Sequence, residues 1–231
     1  MSSDSTPSTD SGVLPSVEQV KAVVKPLMRG WLHLGMFPLV LLGGLLLVLL
    51  ADTTTERVVT VVFTVCTSAL FGVSATYHRG RWSEPTRILL KRLDHSSIFL
   101  LIAGSYTPYA VLLLPTRQAR LLLGLVWGGA VLGILFRVFW VGAPRWLYTP
   151  IYLVLGWTAV WFLPGLYSAG GLLVVCLLAG GGLLYSGGAV VYALKRPDPW
   201  PHHFGFHEIF HACTVLAFAA HYTGALLVVL D

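Results

Sequence analysis

The sequence predicts an all-α integral membrane protein, a bundle of seven transmembrane helices with a cytoplasmic N-terminus and the C-terminus outside. Composition, the spacing of apolar runs and the placement of cations each point there. Of 231 residues, 56% are hydrophobic and 11% are charged, and the mean hydropathy is +0.77. No soluble domain of this length covers so much apolar surface with so few charges.

A bilayer core takes about 20 apolar residues per helix. With that ruler the chain divides at polar or Pro/Gly-rich breaks into runs at 31–51, 58–78, 95–114, 121–141, 147–166, 171–194 and 206–230. Lys and Arg beside the runs set the orientation. Lys21, Lys25, Arg29, Arg79, Arg81, Arg87, Lys91, Arg92, Arg137, Arg145, Lys195 and Arg196 fall on one side, and only Arg57, Arg117 and Arg120 on the other. The first side is therefore cytoplasmic, and the protein is a multi-pass protein of the cell (plasma or inner) membrane. The same topology accounts for the formal charge of +5, so no nucleic-acid partner is implied.

Two segments are set apart. Residues 1–24 open with "MSSDSTPSTDSGVLPS", which lacks the basic-then-apolar pattern of a signal peptide and reads as a disordered polar tail before a membrane domain at 25–231. Cys66, Cys176 and Cys213 lie within apolar runs and are odd in number, so they read as small core residues. The spacings of Gly124 with Gly128, Gly129 with Gly133, and Gly180 to Gly182 suit close helix approach. Pro108 in "GSYTPY" predicts a kink in the third run. Trp31, Trp82, Trp146, Tyr148 and Trp200 read as interfacial anchors.

Polar side chains converge at one depth. The second run ends inward at "SATYH", the third opens with "LDHSSIF", and the seventh opens with "HEIFH". An Asp at a helix centre costs about 2.5–3.5 kcal/mol in a membrane, so such groups pair or bind something. His207 with His211, and Ser74 with His78, share helix faces at i and i+4. Two imidazoles on one helix, a third from a neighbour and an open fourth position make a catalytic zinc arrangement. Spacing and depth leave the third ligand open. His33, His95, His202 and His203 lie near the same face as His78, although "PDPWPHHF" reads as a solvated loop. His221, ten residues past His211, lies about 15 Å deeper and reads as a satisfied interior histidine. Asp94 is placed to act as base, and Ser74 to orient the water or Asp94.

The joint pattern of Ser74 and His78, Asp94 in "LDHSSIFLLIAGSYTPY", and His207 with His211, together with "KPLMRGWLH", resembles the hemolysin III family. That family is grouped with the progestin and adipoQ receptors (PAQR) and is more distantly similar to alkaline ceramidases. The resemblance implies seven helices, a cytoplasmic N-terminus and a zinc ion held by His78, His207 and His211. It also implies that Asp94 engages the zinc-bound water and that Ser74 belongs to the same constellation. The activity it implies is hydrolysis of a ceramide-like lipid amide, with a role in membrane lipid homeostasis and a membrane lipid as substrate or ligand. The alternative is a zinc-clamped sensor, regulator or cytolysin without turnover.

His207, Glu208 and His211 also spell H-E-x-x-H, the signature of zinc proteases. A water-exposed protease cleft is incompatible with the apolar run that follows, and the later L-D-G element of intramembrane metalloproteases is missing. Glu208 reads as a first-turn acid favoured by the helix dipole, ahead of a role in holding water.

Overall fold

A computed structural model describes residues 26–231. The expected polar tail, with Lys21 and Lys25, lies outside the described residues. The described residues are helical with no named strand. Six helical stretches are long and apolar enough to cross a membrane, with Arg145–Leu194 counting as one of 50 residues.

Helix α1 spans Trp31–Leu50 and starts from Gly30, whose φ of 82° is open to glycine and strained for other residues. A Cβ at Gly30 would also stand 2.7 Å from His78 Cβ. This glycine therefore lets the start of α1 sit directly on the end of α2, Thr54–Arg79. Helix α2 begins in a capping box: Thr53 Oγ1 accepts from Glu56 N–H at 3.2 Å, and Glu56 Oε2 accepts from Thr53 N–H at 3.1 Å, satisfying two otherwise orphaned donors.

Helix α3, Glu84–Leu113, starts about three turns before the predicted run at 95. Pro85 in its first turn suits a helix start, and the charged residues that follow are helix formers that an apolar ruler does not register. Asp94 is thus well inside α3 and not at its opening. The helix continues through buried Pro108. It is the central helix, with 61% of its apolar window buried, against 17–50% for the other spans. Helix α4 follows at Thr116–Phe139.

The predicted fifth and sixth runs are not separated by a loop. Helix α5, Arg145–Gly156, passes through a 3-10 turn at Thr158–Phe162 into α6, Leu163–Leu194. Tyr106 of α3 holds that turn: its hydroxyl donates to Gly156 O and accepts from Ala159 N–H at 3.1 Å. Within α6, Gly171 leaves helical geometry at φ 72° and ψ 179°. Arg145 Nη1 donates to Tyr192 O at 3.1 Å, so the two ends of this stretch meet and the chain between them doubles back. Helix α7 spans Phe206–Leu230.

Neighbouring helices pack in order, with α6 against α7 and α7 against α1. One core, around Phe99, Tyr109, Leu122 and Leu166, joins α3, α4, α6 and α7. A second, around Leu47, Phe63, Phe71 and Phe218, joins α1, α2 and α7. The outer faces carry leucine and aromatic side chains such as Leu49 (72% exposed) and Trp161 (84% exposed), the pattern of a lipid-facing surface.

Close glycine approach is realised only in part. A Cβ at Gly129 would strike Leu155, one at Gly133 would strike Phe99, and one at Gly181 would strike His221. Gly124, Gly128 and Gly180 face open space, so their spacing reflects no helix contact within the described chain. Tyr148 is also corrected: it is 4% exposed and stacked under Arg137 at 4.4 Å, an interior residue because α5 turns this face towards α3 and α4. Trp31, Trp82, Trp146 and Trp200 are exposed, as anchors are.

Candidate metal and binding site

The ends of α2 and α7 bring three imidazoles together. The ligand nitrogens of His78, His207 and His211 all lie within 4.8 Å of one another, a set that can hold a metal ion. His78 Nε2 and His207 Nε2 are 3.2 Å apart. His78 and His211 are buried, and His207 is half-buried at the cavity wall. The i, i+4 face read from the sequence supplies two of these rings, and α2 supplies the third.

Asp94 Oδ2 lies 3.9 Å from His78 Nε2 and 3.8 Å from His95 Nδ1. Ser74, 2% exposed, is a side-chain hydrogen-bond partner of the Asp94 carboxyl. All five residues singled out by spacing therefore share one wall. His95 is turned aside: its Nδ1 donates to Lys91 O at 2.8 Å, and Tyr152 Oη donates to His95 O at 3.1 Å. His202 and His203 are exposed, and their carbonyls accept from Leu27 and Met28 N–H at 3.0 and 3.1 Å. Deep in the bundle, His221 Nε2 donates to Leu178 O at 3.2 Å.

Glu208 is fully engaged in structure. One carboxylate oxygen pairs with Arg29 Nε, and the other accepts from Gly205 N–H at 2.9 Å, capping α7. At 1% exposure, both oxygens are taken up by Arg29 and Gly205, so the protease role for this acid has no geometric support. The first-turn reading holds, with Arg29 as a counterion that no local pattern revealed.

Sequence spacing did not single out His33 from the other open histidines. It is 2% exposed, and its ring stacks on His211 at 3.8 Å with planes 7° apart. Its other face neighbour is Phe71, edge-on at 5.0 Å. Neither ring nitrogen has a partner. His33 thus fixes the plane of one candidate ligand by packing. The only signal in the sequence was a histidine inside an otherwise apolar run.

The histidines open into a cavity of about 530 Å³ that runs between α3, α5, α6 and α7, within the range of small-molecule sites. Leu101, Ile102, Leu163 and Leu178 line its apolar depth.

With this geometry in view, comparison with known proteins is decisive. The family model described as "Haemolysin-III related" matches residues 21–222. The chain belongs to the haemolysin III family. It is 36% identical over 143 residues to "Hemolysin-3 homolog" of Bacillus subtilis (strain 168), covering 62% of this chain and 64% of that protein. It is also 36% identical over 104 residues to "Hemolysin-3" of Bacillus cereus, covering 45% of this chain and 48% of that one. The match thus spans less than two thirds of either relative. Family membership and the apolar helices together make this haemolysin III chain a multi-pass membrane protein.

Proposed function

We propose that this haemolysin III protein is a zinc-dependent hydrolase of a lipid amide, working at the inner leaflet in membrane lipid homeostasis. The observation that carries the reading is three histidine ligands with a carboxylate beside them at the mouth of an intrabundle cavity. The separation of 3.2 Å between His78 and His207 nitrogens matches the roughly 3.3 Å edge of a tetrahedron with Zn–N bonds of about 2.0–2.1 Å. Zinc bound there supplies Lewis-acid polarisation of a carbonyl and a water acidified towards neutral pH.

The chain's own groups do the rest. Asp94 accepts the proton of the attacking water and later returns it to the leaving amine. Ser74 holds the Asp94 carboxyl in place, and His33 holds the ring of His211. The acyl chain lies against the apolar depth of the cavity, where water is excluded.

The same reading carries the topology. The bundle crosses seven times because Arg145–Leu194 passes twice, a count supported by the bond between its two ends. The N-terminus, including a polar tail to about residue 24, is cytoplasmic, and Asp231 is outside. Reporter fusions at the two ends test this, and activity of both on one side of the membrane contradicts it.

Hydrolysis is tested by incubating purified zinc-loaded protein with ceramide and N-acyl ethanolamine and measuring released fatty acid. Asp94→Asn is expected to keep zinc and lose at least about 100-fold in rate, the lower end of the general-base range. Zinc-loaded wild type that releases no fatty acid, or Asp94→Asn with full rate, overturns the reading.

A further inference from the structure

The cavity has a second wall that the proposed hydrolysis does not use. Lys91, Arg137 and Arg145 line it. Lys91 lies within electrostatic range of Arg137 and Arg145, and all three bear on His95. Arg137 is 1% exposed. Two of its nitrogens donate to Trp140 O at 3.3 Å and Val141 O at 3.4 Å, while Nε is buried without a partner.

The ion pairs among the described residues join Arg29 to Glu208, Arg87 to Glu84, and Asp94 to His78 and His95. None reaches Lys91, Arg137 or Arg145. Capping the end of α4 explains two bonds of Arg137, and positive-inside sorting explains cations at a membrane face. Neither explains three cations turned towards one cavity, one of them fully buried with no anion, since such a charge is costly unless something neutralises it.

The wall adjoins the histidine site through two tyrosines. Arg137 stacks on Tyr148 at 4.4 Å, and Arg145 on Tyr192 at 4.4 Å. The hydroxyls of these tyrosines are 3.2 Å apart. The Tyr192 ring is 5.6 Å from His207, and the Tyr148 ring is 5.8 Å from His95. A ligand head lying across this tyrosine pair reaches both the imidazoles and the guanidinium groups.

We propose that Lys91, Arg137 and Arg145 form a head-group subsite that selects lipid amides carrying a phosphate on the amine side. Three cations outnumber the single carboxylate of Asp94, and a metal ion on the histidines would add to that excess, so the cavity suits the charge of about −1.5 to −2 on a phosphomonoester at neutral pH. Guanidinium groups suit phosphate by geometry as well as charge. The apolar depth of the same cavity takes the acyl chain, so the phosphate belongs to a lipid and not to a free anion. The inference rests on the hydrolase reading for its substrate class, but its test is a binding test.

The test compares oleoylethanolamide with its phosphate monoester, an otherwise identical pair, by displacement of a fluorescent fatty-acyl probe from the full-length protein in detergent. The protein is used as purified and again after EDTA, so that phosphate bound to a metal is recognised. Wild type is expected to prefer the phosphate ester by at least about tenfold, since hydrogen bonds to charged groups are each worth roughly that factor. Lys91→Gln and Arg145→Gln, at half-buried positions, are each expected to cut the preference to about threefold, and Arg137→Met to abolish it.

Equal affinity in wild type, a preference that survives all three substitutions, or one that vanishes with EDTA overturns the proposal. Inorganic phosphate that displaces the probe as well as the ester does would make this a soluble-anion site and would likewise overturn it. Absent oleate release with the binding preference intact counts against the hydrolase alone.

Discussion

The pair formed by Arg29 and Glu208 joins the entry of the chain to the start of α7, one residue from a candidate metal ligand. Glu208 is 1% exposed and Arg29 19% on the side-chain scale. The segment bearing Arg29 is tied down further by the Leu27 and Met28 bonds to the loop at 202–203. Arg29→Met leaves a buried carboxylate with only the Gly205 bond, which is expected to cost about 3–5 kcal/mol.

Glu208→Gln removes the charge but keeps an acceptor for Gly205, and it leaves Arg29 with access to water. Its expected cost is about 1–2 kcal/mol. The double variant has no stranded charge, so it should be more stable than Arg29→Met alone, with a coupling of about 2 kcal/mol. Unfolding of detergent-solubilised protein, followed by helix content, measures all four corners of the cycle. An Arg29→Met variant within about 0.5 kcal/mol of wild type, or costs that simply add, refutes the reasoning. Glu208→Gln should also retain its metal, because both oxygens of this acid are engaged by Arg29 and Gly205 and it is not one of the three clustered ligands.

His33→Ala removes the ring stacked on His211 and should weaken metal affinity about 10–100-fold, as loss of supporting groups does, while His33→Phe should restore much of it; competition with a fluorescent chelator reads both, and unchanged affinity in the alanine variant contradicts the assignment. Gly133→Ala drives a methyl into the buried Phe99 ring and should cost about 1–3 kcal/mol. Gly124→Ala enters open space and should change stability by less than about 0.5 kcal/mol, so equal effects of the two glycine variants in thermal unfolding would contradict this packing.

The site was legible where one helix carries the information. His207 and His211 share a face by helical periodicity, as do Ser74 and His78, and those faces meet across α2 and α7. What periodicity does not encode is which helix a face meets. His33 reaches His211 from 178 positions away along the chain, and Arg29 reaches Glu208 across 179, so neither partner was visible in any local window. Burial of Arg137 and Tyr148 was hidden for the same reason. As letters they match the cations and aromatics of a membrane interface, and only the turn of α5 towards α3 places them inside.

The fold was legible wherever an apolar run ended in polar residues. It was less so within Arg145–Leu194, where the sequence marks the break at 167–170 but not the 3-10 turn before it. Gly171 leaves helical geometry beside that break, whereas the 3-10 turn held by Tyr106 falls inside the run read at 147–166 and does not interrupt its hydropathy. At the start of α3 the opposite holds, since helix continues past the apolar region through charged residues that cost it little propensity.

Metal analysis of the purified wild type beside His78→Ala, His207→Ala and His211→Ala, with X-ray absorption at the zinc edge, tests the central claim most directly. The expected result is one zinc per chain, bound through three imidazole nitrogens, and a loss of zinc in every variant. Wild type purified without bound metal in zinc-supplemented medium, or variants that keep a full complement, would contradict it.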